Sequence, residues 1–319
     1  MFVVAGESLI DLVAGPKRTD GVLQMGAHQG GSPYNCAIAL ARLGQETGFL
    51  CPISSDSFGD LLLAPLEKAG VVPLIKQRSD CNTTLAVVTQ NARGLPAYAF
   101  YRQGTAERDI SREKLLAALP LSIDLFQIGG FLPIEPDDAA IWLDVVKSVA
   151  ARGTVLSIDP NVRPSLIADF QGYTERLDAF LDLAHIVKVS DEDLVALDAH
   201  KSIEEHARAL LARPHVELVV VTLGAQGACA FTADARANAP IYRPEMLGDT
   251  VGAGDAMMAG ILAALAERNA LAIGRIGALD ATSLEAILRF GSVVAGLNCA
   301  HVGCNPPTRA EVEAVLQTN

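Results

Sequence analysis

The chain has 319 residues, of which 50% are hydrophobic, and 25 basic against 37 acidic side chains give a formal net charge of −12. This length suffices for one large α/β domain or two ordinary ones. The acidic balance argues against nucleic acid or an anionic membrane as a partner, because either would require a basic surface. No apolar run approaches the ~20 residues of a membrane span. The N-terminal segment lacks the basic region of a signal peptide and carries Glu7 and Asp11. We therefore expect a cytoplasmic protein.

Short apolar runs alternate with helical patterns along most of the chain. Strands are predicted at 2–6, 47–53, 125–130, 154–161, 186–190 and 218–224, and most of these runs are apolar throughout. Such runs are typical of strands covered on both faces. Helices are predicted at 32–44, 57–70, 136–153 and 203–214, and several end in glycine or proline. The alternation predicts a mostly parallel sheet with helices on both faces.

Two segments interrupt this alternation. Residues 12–27 and about 82–108 contain strand-like pieces with no helix between them. They predict antiparallel strands in a small accessory sheet beside the main one. An antiparallel edge of the main sheet would give the same pattern, so the sequence leaves both arrangements open.

The stretch GDTVGAGDA precedes an apolar helical run and combines glycines with two aspartates. Gly252 and Gly254 frame a tight turn, and we expect the helix to begin near Asp255. Unpaired backbone N–H groups at a helix start attract an anion, and glycine lets it approach closely. A carboxylate beside such a turn is a poor phosphate ligand but a good proton acceptor for a hydroxyl that attacks the phosphate. This combination suits phosphoryl transfer to an alcohol.

The same stretch allows two other interpretations. Asp255 could simply cap a buried helix, since aspartate is a common N-cap residue. A dinucleotide-binding fingerprint fits poorly, because Met257 stands where that motif needs a small residue and no clear strand precedes the turn. No GK[ST] occurs, so a Walker A loop is excluded.

A second glycine pair, Gly30 and Gly31, precedes a helix that carries Asn35 in its first turns. The glycines would let a ligand lie against the backbone, and the Asn35 amide could bind sugar hydroxyls. A turn leading into a capped helix explains the same residues without a ligand.

Two further motifs follow apolar strands. Asp159, Asn161 and Arg163 cluster after one strand, where open α/β sheets place their ligands, and arginine can bind phosphate bidentately. Gly224 and Gly227 form a glycine turn after another strand. That turn could present backbone to a nucleotide or could be only a hairpin, and a DPN turn is also ordinary loop chemistry.

The order of these motifs resembles that of the PfkB, or ribokinase-like, carbohydrate kinases over nearly the whole chain. GGSPYNCAIALARLG is similar to the first signature of that family and DTVGAGDAMMAGIL to the second. Within the family, GESLIDL, GGSPYN, YAFYR and DPNVRPSLI are most similar to bacterial fructokinases. The resemblance implies one kinase domain over 1–319. Its central α/β sandwich would carry a small β-sheet lid, formed by 12–27 and 82–108, that closes over the sugar.

The resemblance also implies a reaction and a set of site residues. The ATP γ-phosphate would be transferred, with Mg²⁺ and in the presence of K⁺, to a hydroxymethyl group of a sugar, for which the resemblance favours fructose. The catalytic residues would be the base Asp255 and the anion-binding amides of Gly252, Ala253 and Gly254. The sugar would be bound by Asp11, Gly31, Asn35 and Arg102. Asn161 and Arg163 would face the phosphates, and Thr222 and Gly224 the nucleotide. A monovalent cation would lie near Asp249, the carbonyls around Val251 and the CAHVGCN segment.

One motif departs from the family pattern. The NxxE motif, tied to magnesium and phosphate, is replaced by Ser190 through Asp193, so the carboxylate is one methylene shorter. Serine keeps a hydroxyl and aspartate keeps the charge. We expect magnesium to be accommodated near Asp193 through water.

The sequence leaves several alternatives. A 2-keto-3-deoxygluconate kinase would use an arginine such as Arg102 against the sugar acid's carboxylate. A nucleoside kinase is disfavoured, because the lid segments carry few aromatic residues to stack on a base. A non-catalytic sugar or nucleotide sensor, or a dehydrogenase, fits less well, since a base, an anion-binding turn and an arginine are present. Relatives often dimerise through their lid sheets, and the sequence leaves open whether this chain forms such a homodimer.

Overall fold

A computed structural model of the chain describes residues 1–15, 21–90 and 96–318. The strands in these residues are β1 Phe2–Ala5, β2 Leu9–Ala14, β3 Met25–Gly30, β4 Thr47–Leu50, β5 Val72–Pro73, β6 Thr84–Gln90, β7 Pro96–Tyr101, β8 Leu125–Gly129, β9 Val155–Asp159, β10 Ile186–Ser190, β11 Leu218–Thr222, β12 Ala228–Phe231 and β13 Arg236–Ala239. The helices are α1 Ser32–Arg42, α2 Ser57–Ala69, α3 Arg112–Ala118, α4 Pro136–Ala150, α5 Phe170–Leu181, α6 Asp191–Asp198, α7 Ile203–Leu211, α8 Ala253–Glu267, α9 Ala281–Asn298 and α10 Arg309–Thr318. Each of the six predicted core strands and four predicted helices overlaps an observed element.

The main sheet has nine strands in the order β13-β12-β11-β10-β9-β8-β1-β4-β5. All neighbours from β11 to β5 pair in parallel, while β12 and β13 add an antiparallel edge. The carboxyl ends of the parallel strands therefore meet at one edge. Because Ser190 pairs with Thr222 and Gly129 with Asp159, the loops that follow these strands lie side by side there. The predicted α/β class is confirmed.

Helices cover both faces of the main sheet. One apolar core lies against α1, α8 and α9, and the other lies against α4, α5 and α7. Helix α8 is buried on nearly every side, as its continuous apolar sequence predicts. It approaches α9 closely, because Gly260 faces Gly291 with no side chain between the two backbones. None of the helices in the described ranges is both long and apolar enough to span a bilayer.

A second, separate sheet holds four strands in the order β3-β2-β6-β7, and we call it the accessory sheet. The strands are not an edge of the main sheet, so the first of the two predicted arrangements is the correct one. Strands β2 and β3 extend beyond the predicted segment 12–27 at both ends, whereas β6 and β7 fall within 82–108. Positions 16–20 and 91–95 of those segments lie outside the described residues.

The strand directions in the accessory sheet differ in part from the prediction. The β2–β3 and β6–β7 pairs are antiparallel, but β2 and β6 run parallel. The reason is connectivity: between β3 and β6 the chain passes through α1, β4, α2 and β5. It therefore re-enters the accessory sheet in the direction of β2, and such parallel pairing needs a long crossover.

Candidate active site

The glycine turn at the start of α8 is built as the sequence suggests, with one shift. The helix begins at Ala253, two residues before the predicted start, and its N-cap Gly252 has φ 73°. The Ala253 amide donates to the Thr250 carbonyl at 3.2 Å. Within the described ranges, the amides of Gly252 and Gly254 have no hydrogen-bond acceptor. Two of the three predicted amides are thus available to an anion in front of α8.

Asp255 does not cap α8. It is the third residue of the helix and is buried, and none of the side chains that the structure describes caps the N-terminus. Its carboxylate instead accepts hydrogen bonds from Ser32 Oγ at 2.6 Å and Asn35 Nδ2 at 2.8 Å. Burial raises the pKa of Asp255, against the opposing effect of these two bonds. The carboxylate is therefore oriented by α1 and is a stronger proton acceptor than an exposed aspartate.

The start of α1 brings the first glycine pair against this carboxylate. Gly31 has φ 110°, and a Cβ there would lie 2.7 Å from the Glu7 carbonyl oxygen, so only glycine fits. Ser32, which the sequence did not single out, follows directly and binds Asp255. A serine after two glycines at a helix start is also the pattern of an ordinary helix cap. The sequence therefore gives no indication that Ser32 contacts Asp255.

Glu7 is a second residue that sequence reasoning missed. It is buried, and its carboxylate accepts the N–H groups of Ser32 at 3.2 Å and Phe131 at 3.0 Å. Burial raises the pKa of Glu7 to about 7. The carboxylate joins the end of β1 to the start of α1 and to the loop after β8. It therefore sets where Ser32 stands relative to Asp255.

Asp11 lies in the accessory sheet opposite His28 of β3. The strand register places Asp11, Ala86 and Phe100 on one face of that sheet. The ring of Phe100 contacts that of Phe131 edge to face, with centroids 5.7 Å apart, so this face is turned toward the loop after β8 of the main sheet. Burial raises the pKa of Asp11 to about 6, although His28 opposes the shift.

Arg102 directly follows β7, and its guanidinium contacts other side chains of this chain. Its Nε donates to Glu107 at 2.8 Å, its guanidinium lies 4.4 Å from the centroid of Phe131, and its Nη1 is 3.8 Å from Glu135. Both members of the Arg102–Glu107 pair are buried. The arginine predicted to contact the sugar thus has its charge balanced by a carboxylate.

The loop after β9 and the start of α6 are tied together by Asp193. Its Oδ1 accepts the Val162 N–H at 2.7 Å, and its Oδ2 accepts the Ser190 N–H at 2.8 Å and hydroxyl at 2.7 Å. Asn161 has φ 45°, and the exposed Arg163 donates from Nη1 to the Val162 carbonyl. The shorter carboxylate of the altered NxxE motif therefore orients the predicted phosphate loop.

Thr222 ends β11 beside Ser190, and its hydroxyl donates to the Val189 carbonyl at 3.4 Å. Gly224, with φ 51°, lies in a short 3-10 turn that leads into the antiparallel strand β12. This turn is a hairpin, as one interpretation held. It also lies at the edge of the main sheet where the parallel strands β10 and β11 end.

Lys188 and Asp159 form a buried ion pair that the sequence analysis did not identify. Lys188 Nζ lies 2.7 Å from Asp159 Oδ2, and a Cβ on Gly254 would lie 3.0 Å from the same Nζ. Burial raises the pKa of Asp159 to about 6. Its Oδ1 is buried and accepts no hydrogen bond from the described residues. A lysine inside the apolar run IVKVS was the available signal.

The predicted cation loop packs against the segment after α9. Asp249 Oδ1 accepts the Val251 N–H at 2.9 Å and Oδ2 accepts the Gly303 N–H at 2.8 Å. The Val251 carbonyl accepts from Asn298 Nδ2 at 2.8 Å. These contacts join the loop before α8 to the segment after α9, the two segments that were predicted to lie near a monovalent cation. Across the described ranges, no group of three or more His, Cys, Asp or Glu side chains could hold a metal ion directly.

The chain is similar to known carbohydrate kinases in sequence and in fold. The model for the pfkB family of carbohydrate kinases matches residues 1–311. A fructokinase of Rhizobium leguminosarum bv. trifolii is 34% identical over 89% of this chain and 86% of its own length. Fructokinase-1 of Oryza sativa subsp. japonica is 30% identical over 99% of this chain and 96% of its own. The crystal structure of a fructokinase from Xylella fastidiosa with bound ATP matches with a TM-score of 0.87 and 28% identity, covering 99% of this chain and 98% of that one. The chain belongs to the pfkB family of carbohydrate kinases.

Proposed function

We propose that this protein is an ATP-dependent kinase that phosphorylates fructose on a hydroxymethyl group. The observation that carries the proposal is the buried Asp255 carboxylate beside the amides of Gly252 and Gly254, which have no acceptor among the described residues. A proton acceptor next to an anion-binding turn is what transfer of a phosphoryl group to an alcohol needs. The fructokinases among the relatives support fructose as the acceptor.

In the proposed step, Asp255 takes the proton of the sugar hydroxyl. The hydroxyl oxygen forms a bond to the γ-phosphorus while the bond between that phosphorus and the β–γ bridging oxygen breaks. The electron pair of the broken bond stays on ADP. Gly252 and Gly254 donate backbone N–H groups to the phosphoryl oxygens, and Ser32 and Asn35 hold the base in position.

A divalent cation, which we propose to be Mg²⁺, fits the site only through water. Asp159 Oδ1 is a buried acceptor without a partner among the described residues. Asp193 binds the loop that follows Asp159, because its Oδ1 accepts the Val162 N–H. Both carboxylates can accept hydrogen bonds from water around an ion that is held by the ATP phosphates. The ion would neutralise phosphate charge during transfer.

The remaining roles are assigned by position. Asp11 and Gly31 would line the sugar pocket with Asn35. Asn161 and Arg163 would face the phosphates. Ser190, Thr222 and Gly224 would contact the nucleotide at the edge of the sheet. The accessory sheet would act as a lid of the single domain over 1–319, since the face that bears Asp11 is turned toward Phe131.

A monovalent cation, K⁺, is proposed beside the loop that precedes α8. Asp249 and the carbonyl of Val251 lie in the loop that the segment after α9 braces. Because this loop leads into Gly252, an ion there would stabilise the anion-binding turn. Turnover should rise when Na⁺ is replaced by K⁺ at equal ionic strength, and equal rates would remove the ion from the account.

The alternative substrate, 2-keto-3-deoxygluconate, is less well supported. A sugar acid needs an unpaired cation for its carboxylate, and Arg102 was the candidate. Its guanidinium is already paired with Glu107 and lies near Glu135. The pocket therefore suits an uncharged ketose better than an acid.

The acceptor is tested by ADP release from Mg-ATP with fructose, tagatose, ribose, 2-keto-3-deoxygluconate and adenosine. We expect the highest kcat/KM with fructose. A preference for the sugar acid would reassign the pocket to carboxylate recognition and would require Arg102 to leave Glu107. ATP binding without ADP release for any acceptor would favour a non-catalytic sensor.

We also propose a homodimer in the cytoplasm. Six free cysteines suit a reducing compartment. Tyr101 is 61% exposed on the face of the accessory sheet opposite Asp11, where a second copy could pack. Light scattering should give the mass of a dimer for the native chain and of a monomer for Tyr101→Asp. A monomeric native chain would contradict the dimer.

A further inference from the structure

Lys188 occupies a position in β10 at which the pattern of the main sheet predicts an apolar side chain. Its neighbours along β10 alternate between the two cores, with Ile186 on the α8 side and Val187 and Val189 on the other. Lys188 therefore points toward α8, where its side chain is 5% exposed. Burying an ammonium group costs free energy unless the group is paired and hydrogen-bonded, so we expect a lysine at this position to have an anionic partner and a functional role.

The first partner of Lys188 is Asp159, at 2.7 Å, and its second neighbour is the start of α8. A Cβ on Gly254 would lie 3.0 Å from Nζ, so the ammonium is next to the backbone that leads the helix. An ammonium has three N–H donors. Only the one directed to Asp159 has an acceptor among the described residues. Two donors remain for a group that lies against Gly254.

The surrounding charge makes this cation important for an anionic ligand. Burial alone would lower the pKa of Lys188, but Asp159, Asp193 and Asp255 outweigh it and raise the pKa, so the lysine stays charged. A phosphoryl group in front of α8 would otherwise meet these three carboxylates. Arg163, the cation predicted from the sequence, is exposed and donates to a backbone carbonyl.

We propose that Lys188 is a further catalytic residue. Its ammonium donates hydrogen bonds to the phosphoryl group while that group is transferred in front of Gly254, and Asp159 holds the ammonium in position. The proposal rests on the function proposed above and adds a cation to that site. No bond to Lys188 forms or breaks: it donates hydrogen bonds to oxygens whose charge grows as the phosphoryl group leaves ADP. The competing explanation is that Lys188 serves only to neutralise Asp159.

The test compares Asp159→Asn with Asp159→Asn/Lys188→Met. Both variants lack the Asp159 carboxylate, so a lysine whose only role is to neutralise Asp159 has no function left in either. We expect kcat of the double variant to fall ~10²-fold below that of Asp159→Asn, the scale of a lost oxyanion-hole donor. The KM for fructose should change little. Lys201→Met, at the exposed Lys201–Asp198 pair, controls for the substitution itself.

A binding measurement keeps the proposal testable even if Asp159→Asn is itself inactive. Calorimetry on both variants would use Mg-ADP and the Mg complex of the β,γ-imido analogue of ATP. We expect the double variant to lose ~10-fold affinity for the analogue, as a lost charge-assisted hydrogen bond predicts, and to keep its ADP affinity. Equal kcat in the two variants, or equal loss for both nucleotides, would overturn the role of Lys188. A native chain without sugar-dependent turnover would refute the proposed kinase activity. The comparison of the two variants in their affinity for Mg-ADP and for the ATP analogue would still test the role of Lys188.

Discussion

Gly252 is the residue at which one added methyl group would most directly disturb the anion-binding turn. A Cβ there would lie 2.5 Å from Cys304 Sγ, and φ 73° is unfavourable for other residues. We predict that Gly252→Ala lowers kcat by ~10²-fold, because a shift of about 1 Å in a positioning group can cost that much. Steady-state kinetics would measure it.

Gly70 provides the matched control for this substitution. It has φ 80° and caps the C-terminus of α2, and its two chain neighbours aside, no atom of the described part of the chain lies within 4 Å of its Cβ position. Gly70→Ala should lower stability by about 1–2 kcal/mol through backbone strain and leave kcat unchanged. Equal kinetic losses in the two variants would mean that strain alone, not the turn, explains the effect.

Asp11 should make fructose binding depend on pH. Because burial raises its pKa to about 6, the carboxyl is ionised at pH 7 and protonated at pH 5. A protonated carboxyl accepts hydrogen bonds poorly, so fructose affinity should fall roughly tenfold per pH unit well below pH 6. Calorimetry in an Asp255→Asn background would isolate this effect from that of the base. An Asp11→Asn variant with the same pH dependence would exclude Asp11 from sugar binding.

At the scale of secondary structure, α8 shows what the sequence could predict. Its apolar run predicted a buried helix behind the glycine turn, and the start of the helix was predicted to within two residues. The predicted strands match as well, because continuous apolar runs are a local signal. The residues that hold Asp255 were harder to find. Ser32 is 223 positions away, and nothing near Ser32 in the sequence indicates that contact.

The same reasoning explains why Glu7, Lys188 and the parallel β2–β6 pair were missed. Glu7 contacts Phe131, 124 positions further along the chain, and Lys188 contacts Asp159 across two neighbouring strands. Strand direction in the accessory sheet depends on the path through α1 and α2, not on the composition of either strand. Sequence patterns specify which elements form, whereas these contacts exist only after the elements pack.

The crossing of α8 and α9 depends on Gly260. A Cβ there would lie 2.7 Å from the Gly291 Cα, a backbone atom that cannot move without shifting α9. We predict that Gly260→Val lowers the free energy of unfolding by roughly 1–3 kcal/mol, the usual cost of overpacking. Urea denaturation measures this. Gly277→Val, where the nearest atom would be 3.5 Å away, should cost less, and an equal loss would argue against the close helix crossing.

At the scale of the whole molecule, Glu7 should make stability depend on pH. Burial raises its pKa from 4.5 to about 7, so the folded state retains a proton that the unfolded state releases above pH 4.5. The stabilising contribution of this neutral carboxyl is full below pH 4.5 and is lost as pH rises to about 7. Glu7→Gln should therefore gain stability relative to the native chain between pH 5 and pH 8, on the order of 1–3 kcal/mol.

Urea denaturation at both pH values would measure this change in relative stability. The exposed Glu113 supplies the control, since Glu113→Gln should show the same difference from the native chain at both pH values. A Glu7→Gln variant whose relative stability did not change with pH would show that Glu7 is ionised throughout this range.

The central claim is that Asp255 removes the proton of a sugar hydroxyl while the phosphoryl group is transferred. The most direct test is fructose-dependent ADP release from Mg-ATP by the native chain and by Asp255→Asn, with thermal unfolding recorded for both. We predict that kcat falls by ~10²–10⁴-fold in the variant, the usual contribution of a general base, while the folded structure is retained. A folded Asp255→Asn protein with near-native turnover would contradict the mechanism.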